Sequence, residues 1–118
     1  MSRQAARPSP ATLASVAPVF TALGDETRLY LVSRLCQEGP LSITRLAEGT
    51  TLTRQAVTRH LRVLGDAGLA SSGRQGRERQ WQIEARRLAE VRRLLGQISS
   101  QWDDALARLA TFVERDRR

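Results

Sequence analysis

Apolar residues recur at helical spacing in five stretches of this chain and alternate with polar ones in one short region. From Ala11 to Leu23, the residues Leu13, Val16, Ala17, Phe20 and Leu23 share one side of a helix that Gly24 ends. Pro18 is discordant there; it either kinks the helix or marks the start of a shorter one. Asp25 to Glu38 forms a second helix, with Asp25 as N-cap, Leu29, Leu31, Val32 and Leu35 as core, and Tyr30, Ser33 and Arg34 outside. Gly39-Pro40 stops it. Ser42 to Glu48 is a short third helix, with Ser42 as N-cap and Ile43, Leu46 and Ala47 as its apolar side. Gly49 ends it, Thr50 to Leu52 turn the chain, Thr53 caps a fourth helix, and Gly68 follows that helix as a C′ residue. In the fourth helix Ala56, Val57, His60, Leu61 and Leu64 face a core, while Arg54, Gln55, Thr58, Arg59 and Arg62 face away.

Period two replaces helical spacing after Gly68. Leu69 to Gly73 and Glu78 to Ile83 read as the strands of a hairpin joined by Arg74-Gln75-Gly76-Arg77, with Trp81 and Ile83 on one face and Gln80 and Gln82 on the other. Ala85 to Val113 returns to helix. Leu88, Val91, Leu95, Ile98, Trp102, Ala105, Leu109 and Phe112 step alternately by three and four, a heptad seam that pairs a helix along its length with another. Gly96 and Ser99-Ser100 weaken its middle and are a candidate break. No further domain follows to cover the seam, so it predicts self-association. The expected dimer interface comprises Leu13, Val16, Phe20, Val91, Leu95, Ile98, Trp102 and Leu109. Met1 to Pro10 is expected to be a disordered tail and Arg115 to Arg118 a frayed end. One domain then spans residues 11–118, with residues 85–114 as its dimerisation helix.

The outward face of the fourth helix holds only cations and hydrogen-bonding groups until Asp66. A solvated face usually mixes signs; this one suits a polyanion. A helix-turn-helix presents its second helix to the DNA major groove, N-terminal residues nearest the bases. Arginine binds guanine bidentately, and glutamine does the same to adenine. Arg54, Gln55 and Thr58 are therefore candidates for base edges. Arg59, Arg62 and the backbone amides near Thr53 are candidates for phosphates. The hairpin tip adds Arg74, Gln75 and Arg77, with Arg79 behind, and a thin basic hairpin suits the narrow minor groove.

Three pieces of the chain carry a family resemblance: Leu23-Gly24-Asp25-Glu26-Thr27-Arg28, Gln55-Ala56-Val57-Thr58-Arg59-His60-Leu61-Arg62-Val63-Leu64, and Ala67-Gly68-Leu69. Together they resemble the ArsR family of bacterial winged-helix repressors, over about residues 13–83 and more weakly to residue 113. The resemblance implies a winged helix-turn-helix, mainly α with a small β-hairpin, dimerised through its N- and C-terminal helices. It also implies where a metal would bind in members that respond to one. Cysteines flanked by acid would stand near Ser42, Thr44 and Arg45, or aspartate and histidine ligands in the C-terminal helix. This chain has hydroxyls beside a cation at the first place, poor partners for a soft metal. At the second it has Asp103, Asp104 and Glu114 but no histidine; its single histidine, His60, is a packing residue of the fourth helix. No metal site and no cofactor is expected, and an effector cannot be read from the residues.

Composition narrows the partner class. The 118 residues suffice for one domain, with 19 basic residues, all arginine, against 12 acidic and a net charge of +7. That balance favours double-stranded DNA or another polyanion. The lone Cys36 cannot form an intrachain disulfide and is read as a small buried hydrophobe. No apolar run reaches membrane-spanning length, so no membrane partner and a cytoplasmic location are expected. No nucleophile–base pair or phosphate loop suggests an enzyme. The reading that results is a sequence-specific regulator, a homodimeric repressor on an inverted repeat, with its own promoter as the first candidate. A transcriptional activator or general DNA binder with the same surface stays open, as does a protein-interaction module whose basic face meets an acidic protein.

Overall fold

The computed structural model describes residues 7–117. Eight elements follow one another: α1 (Pro10–Leu23), α2 (Glu26–Glu38), β1 (Leu41–Ser42), α3 (Ile43–Glu48), α4 (Arg54–Asp66), β2 (Ala70–Gln75), β3 (Glu78–Ile83) and α5 (Ala85–Arg117). Each of the first three long helices starts where a side chain satisfies a free backbone N–H. Ser9 accepts from Thr12, Asp25 from Arg28, and Thr53 from Ala56. Pro10 sits in the first turn of α1, where its missing N–H costs nothing, so helix begins inside the stretch expected to be tail. Residues 1–6 of that stretch lie outside the described residues. Pro18 lies within α1, which continues past it to Leu23.

The core gathers one stripe from each helix. Val16, Val19 and Ala22 of α1 meet Leu31 and Leu35 of α2, Leu46 of α3, Val57, Leu61 and Leu64 of α4, and Val91 and Leu94 of α5. Leu69 and Trp81 close it from the sheet side. Burying a leucine fully stabilises by about 1.5–3 kcal/mol, so the three apolar anchors of α4 fix its rotation firmly. Leu29, expected in this core, is 51% exposed, because α2 turns its Leu31–Leu35 side inward.

The sheet has three antiparallel strands in the order β1-β3-β2. A hairpin forms in the period-two region, with a longer first strand than expected, and a third strand flanks it: Leu41 pairs with Trp81 and Ser42 with Gln80. Ser42 serves twice, as strand residue and as N-cap of α3, its Oγ accepting from the Arg45 N–H at 3.2 Å. Two residues are too short to show any period, which is why β1 escaped the pattern.

The last helix differs from expectation. It runs unbroken for 33 residues through Gly96, Ser99 and Ser100, and continues helical to Arg117. Its first half packs on the body through Val91 and Leu94, while Trp102, Leu106, Leu109 and Phe112 in the second half stay exposed. The molecule is accordingly long, with extents of 69 × 30 × 22 Å.

Candidate nucleic-acid interface

Two helices and a turn build the centre of the site, and α2 braces them. Arg34 of α2 donates through one Nη1 to the carbonyls of Arg45 (3.0 Å) and Leu46 (3.1 Å), near the C-terminal end of α3. Tyr30 Oη donates to the Gly49 carbonyl at 3.2 Å. These are the orphan carbonyls of a short helix, and α2 satisfies them. Glu38 holds the other edge of the Arg34 fork at 2.8 Å, which lowers the Glu38 carboxyl and raises the guanidinium from their ordinary values. Within the turn, Thr50 Oγ1 donates to the Ala47 carbonyl and accepts from the Leu52 N–H, each at 3.1 Å.

A second brace explains the Asp25–Arg28 motif. Asp25 Oδ1 accepts the Arg28 N–H at 3.0 Å, and that backbone bond is the main cause of its lowered pKa. The Arg28 side chain donates from Nε to the Ala22 carbonyl at 2.6 Å and reaches His60 Nδ1 at 3.2 Å. An arginine can only donate, so in this contact the guanidinium is the donor, and Asp25 Oδ1 stands 4.0 Å from the same ring nitrogen. One guanidinium thus ties the end of α1 to the middle of α4. His60 is half-buried, a packing residue with a polar tether.

On the outer side of α4, Arg54, Gln55, Arg59 and Arg62 are exposed. With Ile43 and Thr58 they line a shallow concavity of ≈ 500 Å³. Among the described residues none of these arginines forms an ion pair. Thr58 is half-buried and its hydroxyl donates to the Arg54 carbonyl at 2.8 Å. It therefore offers DNA a methyl group and a lone pair, not a donor. Thr53 caps the helix with Oγ1 on the Ala56 N–H at 3.1 Å, which leaves neighbouring first-turn amides outward.

The geometry after α4 sets the hairpin's direction. Leu69 N–H bonds to the Leu64 carbonyl and Gly68 N–H to the Gly65 carbonyl, both at 2.9 Å, with Gly68 at φ 80°. This is a Schellman cap, and it needs glycine for its left-handed residue. β2 leaves directly from it. The strands extend further than the pattern suggested, so Arg74 and Gln75 lie in β2 and the turn is Gly76-Arg77 alone. Gly76 has φ 66° and Arg77 has no positive φ, the sign pattern of a type II′ hairpin turn. The register sets Arg74 opposite Arg79, with Gln75 opposite Glu78. Arg79 shares the Trp81 face, which the body covers at Trp81 and leaves open at the tip. The expected site set omitted Arg79; its alternation with Trp81 was the signal that could have found it.

The family model described as bacterial regulatory protein, arsR family, matches residues 25–72. An HTH-type transcriptional regulator of Mycobacterium tuberculosis is 34% identical over 97 residues, which span 82% of this chain and 87% of that one. The chain belongs to the ArsR family of bacterial regulatory proteins. Solved ArsR structures agree. An ArsR-like transcriptional regulator from Rhodococcus sp. RHA1 matches with a TM-score of 0.72 at 34% identity, covering 86% of this chain and 95% of that one. A homodimeric winged helix-turn-helix DNA-binding domain from Mycobacterium bovis, a possible ArsR-family regulator, matches at 0.62 and 27% identity, covering 86% and 91%. As an ArsR member the chain is a DNA-binding transcriptional regulator with a winged helix-turn-helix fold.

Val16 is 1% exposed and Val91 6%, both inside the chain's own core, so neither is available to a second copy. Leu13, Phe20, Leu95, Trp102 and Leu109 are exposed and Ile98 is half-buried. Cys36 is exposed rather than buried. At the positions where ArsR resemblance puts thiolates, Ser42 Oγ already accepts the Arg45 N–H, and Arg45 stands beside Thr44. Neutral hydroxyls beside an arginine in sequence do not fit a soft metal. Among the described residues no three histidine, cysteine, aspartate or glutamate side chains come together.

Proposed function

We propose that the chain is a homodimeric repressor that occupies an inverted-repeat operator in the cytoplasm and blocks promoter access sterically. The observation that carries this is the outer face of α4, where Arg54, Arg59 and Arg62 stand exposed with no ion-pair partner among the described residues. Unpaired cations on one helix face are stabilised by a polyanion rather than by the protein itself. Arg54 and Gln55, in the first turn, read base edges. Thr58 contributes a methyl contact. Arg59 and Arg62 hold phosphates, together with amides beside Thr53. The wing residues Arg74, Gln75, Arg77 and Arg79 follow the adjacent backbone and minor groove.

Two copies give the twofold needed to read an inverted repeat, with recognition helices about one DNA turn, roughly 34 Å, apart. Leu13 and Phe20 on α1, with Leu95, Ile98, Trp102 and Leu109 on α5, form the contact. The experiment is fluorescence anisotropy with DNA upstream of the protein's own gene, against a scrambled duplex, over a salt series. Binding tighter to the upstream DNA by about a thousandfold or more supports an operator binder that regulates itself. Equal binding with a steep salt slope replaces this reading with that of a general DNA binder. Absence of binding to either duplex transfers the basic face to an acidic protein partner.

A further inference from the structure

A cavity of ≈ 520 Å³ lies between the N-terminal half of α1 and the first half of α5, away from the DNA-facing surface. That volume suits a small metabolite. Its cations are Arg7 and Arg93, neither in an ion pair among the described residues. The cap residue Ser9 and Thr12 of α1 bring hydroxyls that bond each other at 2.9 Å, Ser15 brings a third from α1, and Gln97 an amide from α5. The one carboxylate on the wall, Glu90, is already held by Arg87 at 3.0 Å. The lining is therefore net cationic and rich in hydrogen-bonding groups.

Arg87 connects this wall to the recognition helix. Its Nη2 donates to the Ser15 carbonyl at 2.7 Å and its Nη1 to Ser15 Oγ at 3.4 Å. Its Nε donates to the Ala67 carbonyl at 3.1 Å, at the C-cap of α4. The side chain also covers Gly68, where an added Cβ would stand 3.3 Å from Arg87 Nε. Both groups that Arg87 holds on the cavity side, Ser15 and Glu90, are lining residues. The cavity and the α4–wing junction thus share one guanidinium. Arg93 lies nine residues from Trp102, about 180° around the helix from the exposed apolar stripe.

We propose that this cavity is an effector site for a small hydroxylated anion, of the sugar-phosphate or hydroxycarboxylate class, and that Arg87 transmits its occupancy to α4. The regulatory half of this inference rests on the repressor reading above. An anion seated on Arg93 and Arg7 lies beside Glu90 and competes with it for Arg87. When the guanidinium turns to the ligand, the Ala67 carbonyl loses its donor and the Gly68 hinge loses its cover. Helix α4 and the wing then no longer hold their common angle, and operator affinity falls. Linkage requires operator DNA to weaken the anion by the same factor.

The test is an amide ¹⁵N–¹H titration of the full chain at constant ionic strength, with inorganic phosphate, citrate and glucose 6-phosphate as probes. Saturable shifts at Ser15, Glu90 and Arg93 together with Ala67 to Leu69 are expected for at least one probe. Arg93→Gln, on the surface, is expected to weaken that probe about tenfold; Arg87→Lys is expected to keep the cavity shifts and lose those at Ala67 to Leu69. A saturating probe should lower operator affinity about tenfold in the parent chain, within the usual range of allosteric coupling, and leave Arg87→Lys unchanged. Absence of saturation by all three probes overturns the site, as do shifts confined to Arg54 through Arg62 or a titration unaltered by Arg93→Gln. If the chain binds its operator and shows no cavity response, the inference fails and the repressor reading stands. If it shows the cavity response and binds no DNA, the repressor reading fails instead.

Discussion

Arg34 shows how one side chain can set the angle of a helix-turn-helix. It bonds two carbonyls of α3 and the carboxylate of Glu38 from a half-buried position. Arg34→Met leaves those carbonyls without a protein donor and is expected to cost about 1–3 kcal/mol in urea unfolding. Arg34→Lys should not restore it, since a point cation cannot span the same fork. Acid acts on the same bonds. Glu38 and Asp25 both have folded pKa values below their ordinary ones, Glu38 through the Arg34 hydrogen bond and Asp25 through the Arg28 backbone N–H. A depressed carboxylate stabilises the fold above its unfolded pKa, and that contribution is lost as pH falls through the folded value. The urea midpoint should therefore decline from neutral pH down through the carboxylate range, and decline less in the Asp25→Asn, Glu38→Gln double variant. An equal decline in both would assign the acid sensitivity elsewhere. At this scale the sequence was legible where chemistry is local. The outward set from Arg54 to Arg62 follows from helical spacing alone. The Arg28–His60 contact spans 32 positions and exists only once α2 and α4 are packed.

Elements carry conflicts that residues do not. The hairpin register puts Arg74 directly opposite Arg79, and like charges at that distance disfavour the strand pair. DNA phosphate would offset the repulsion, which makes stability and binding move in opposite directions. Arg79→Glu is expected to stabilise the domain by about 0.2–1 kcal/mol in thermal or urea unfolding. It should weaken binding to every duplex alike and flatten the log–log salt slope by about 0.9 for each phosphate no longer neutralised. A variant more stable and equally tight on DNA would remove Arg79 from the interface. Substitutions on α4 should behave otherwise. Gln55→Ala or Arg54→Ala is expected to cost about 1–3 kcal/mol at the operator and to relax base preference, measured by anisotropy across point-changed duplexes. The hairpin itself was visible in the period-two alternation, whereas the bounds of its turn were not. Arg74-Gln75 read as loop because polar residues in a strand beyond the body look the same as residues in a turn.

The whole molecule is more extended than a compact domain of its length. Its radius of gyration is 19.3 Å, against about 13–14 Å for a compact domain of this length. The excess lies in α5, whose second half carries Trp102 at 69% exposed with Leu106, Leu109 and Phe112 beside it. A helical segment of that length is marginal in water on its own, and a contiguous apolar stripe marks an interaction surface. The heptad spacing made this stripe legible, but spacing does not say which partner covers each layer. Val91 fell to the chain's own core and Trp102 did not, because the body ends before the helix does. That division gives an experiment with two different failures. Trp102→Glu and Leu109→Glu change exposed positions, so the urea transition of the domain should survive while sedimentation equilibrium falls from twice 13.1 kDa to the monomer mass. Operator affinity should drop steeply, because each monomer then binds one half-site without the other. Val91→Glu places an unpaired charge in the core and should instead unfold the domain at any concentration. If Trp102→Glu left the dimer intact, the distal half of α5 would be removed from the interface and the twofold would rest on Leu13, Phe20 and Leu95.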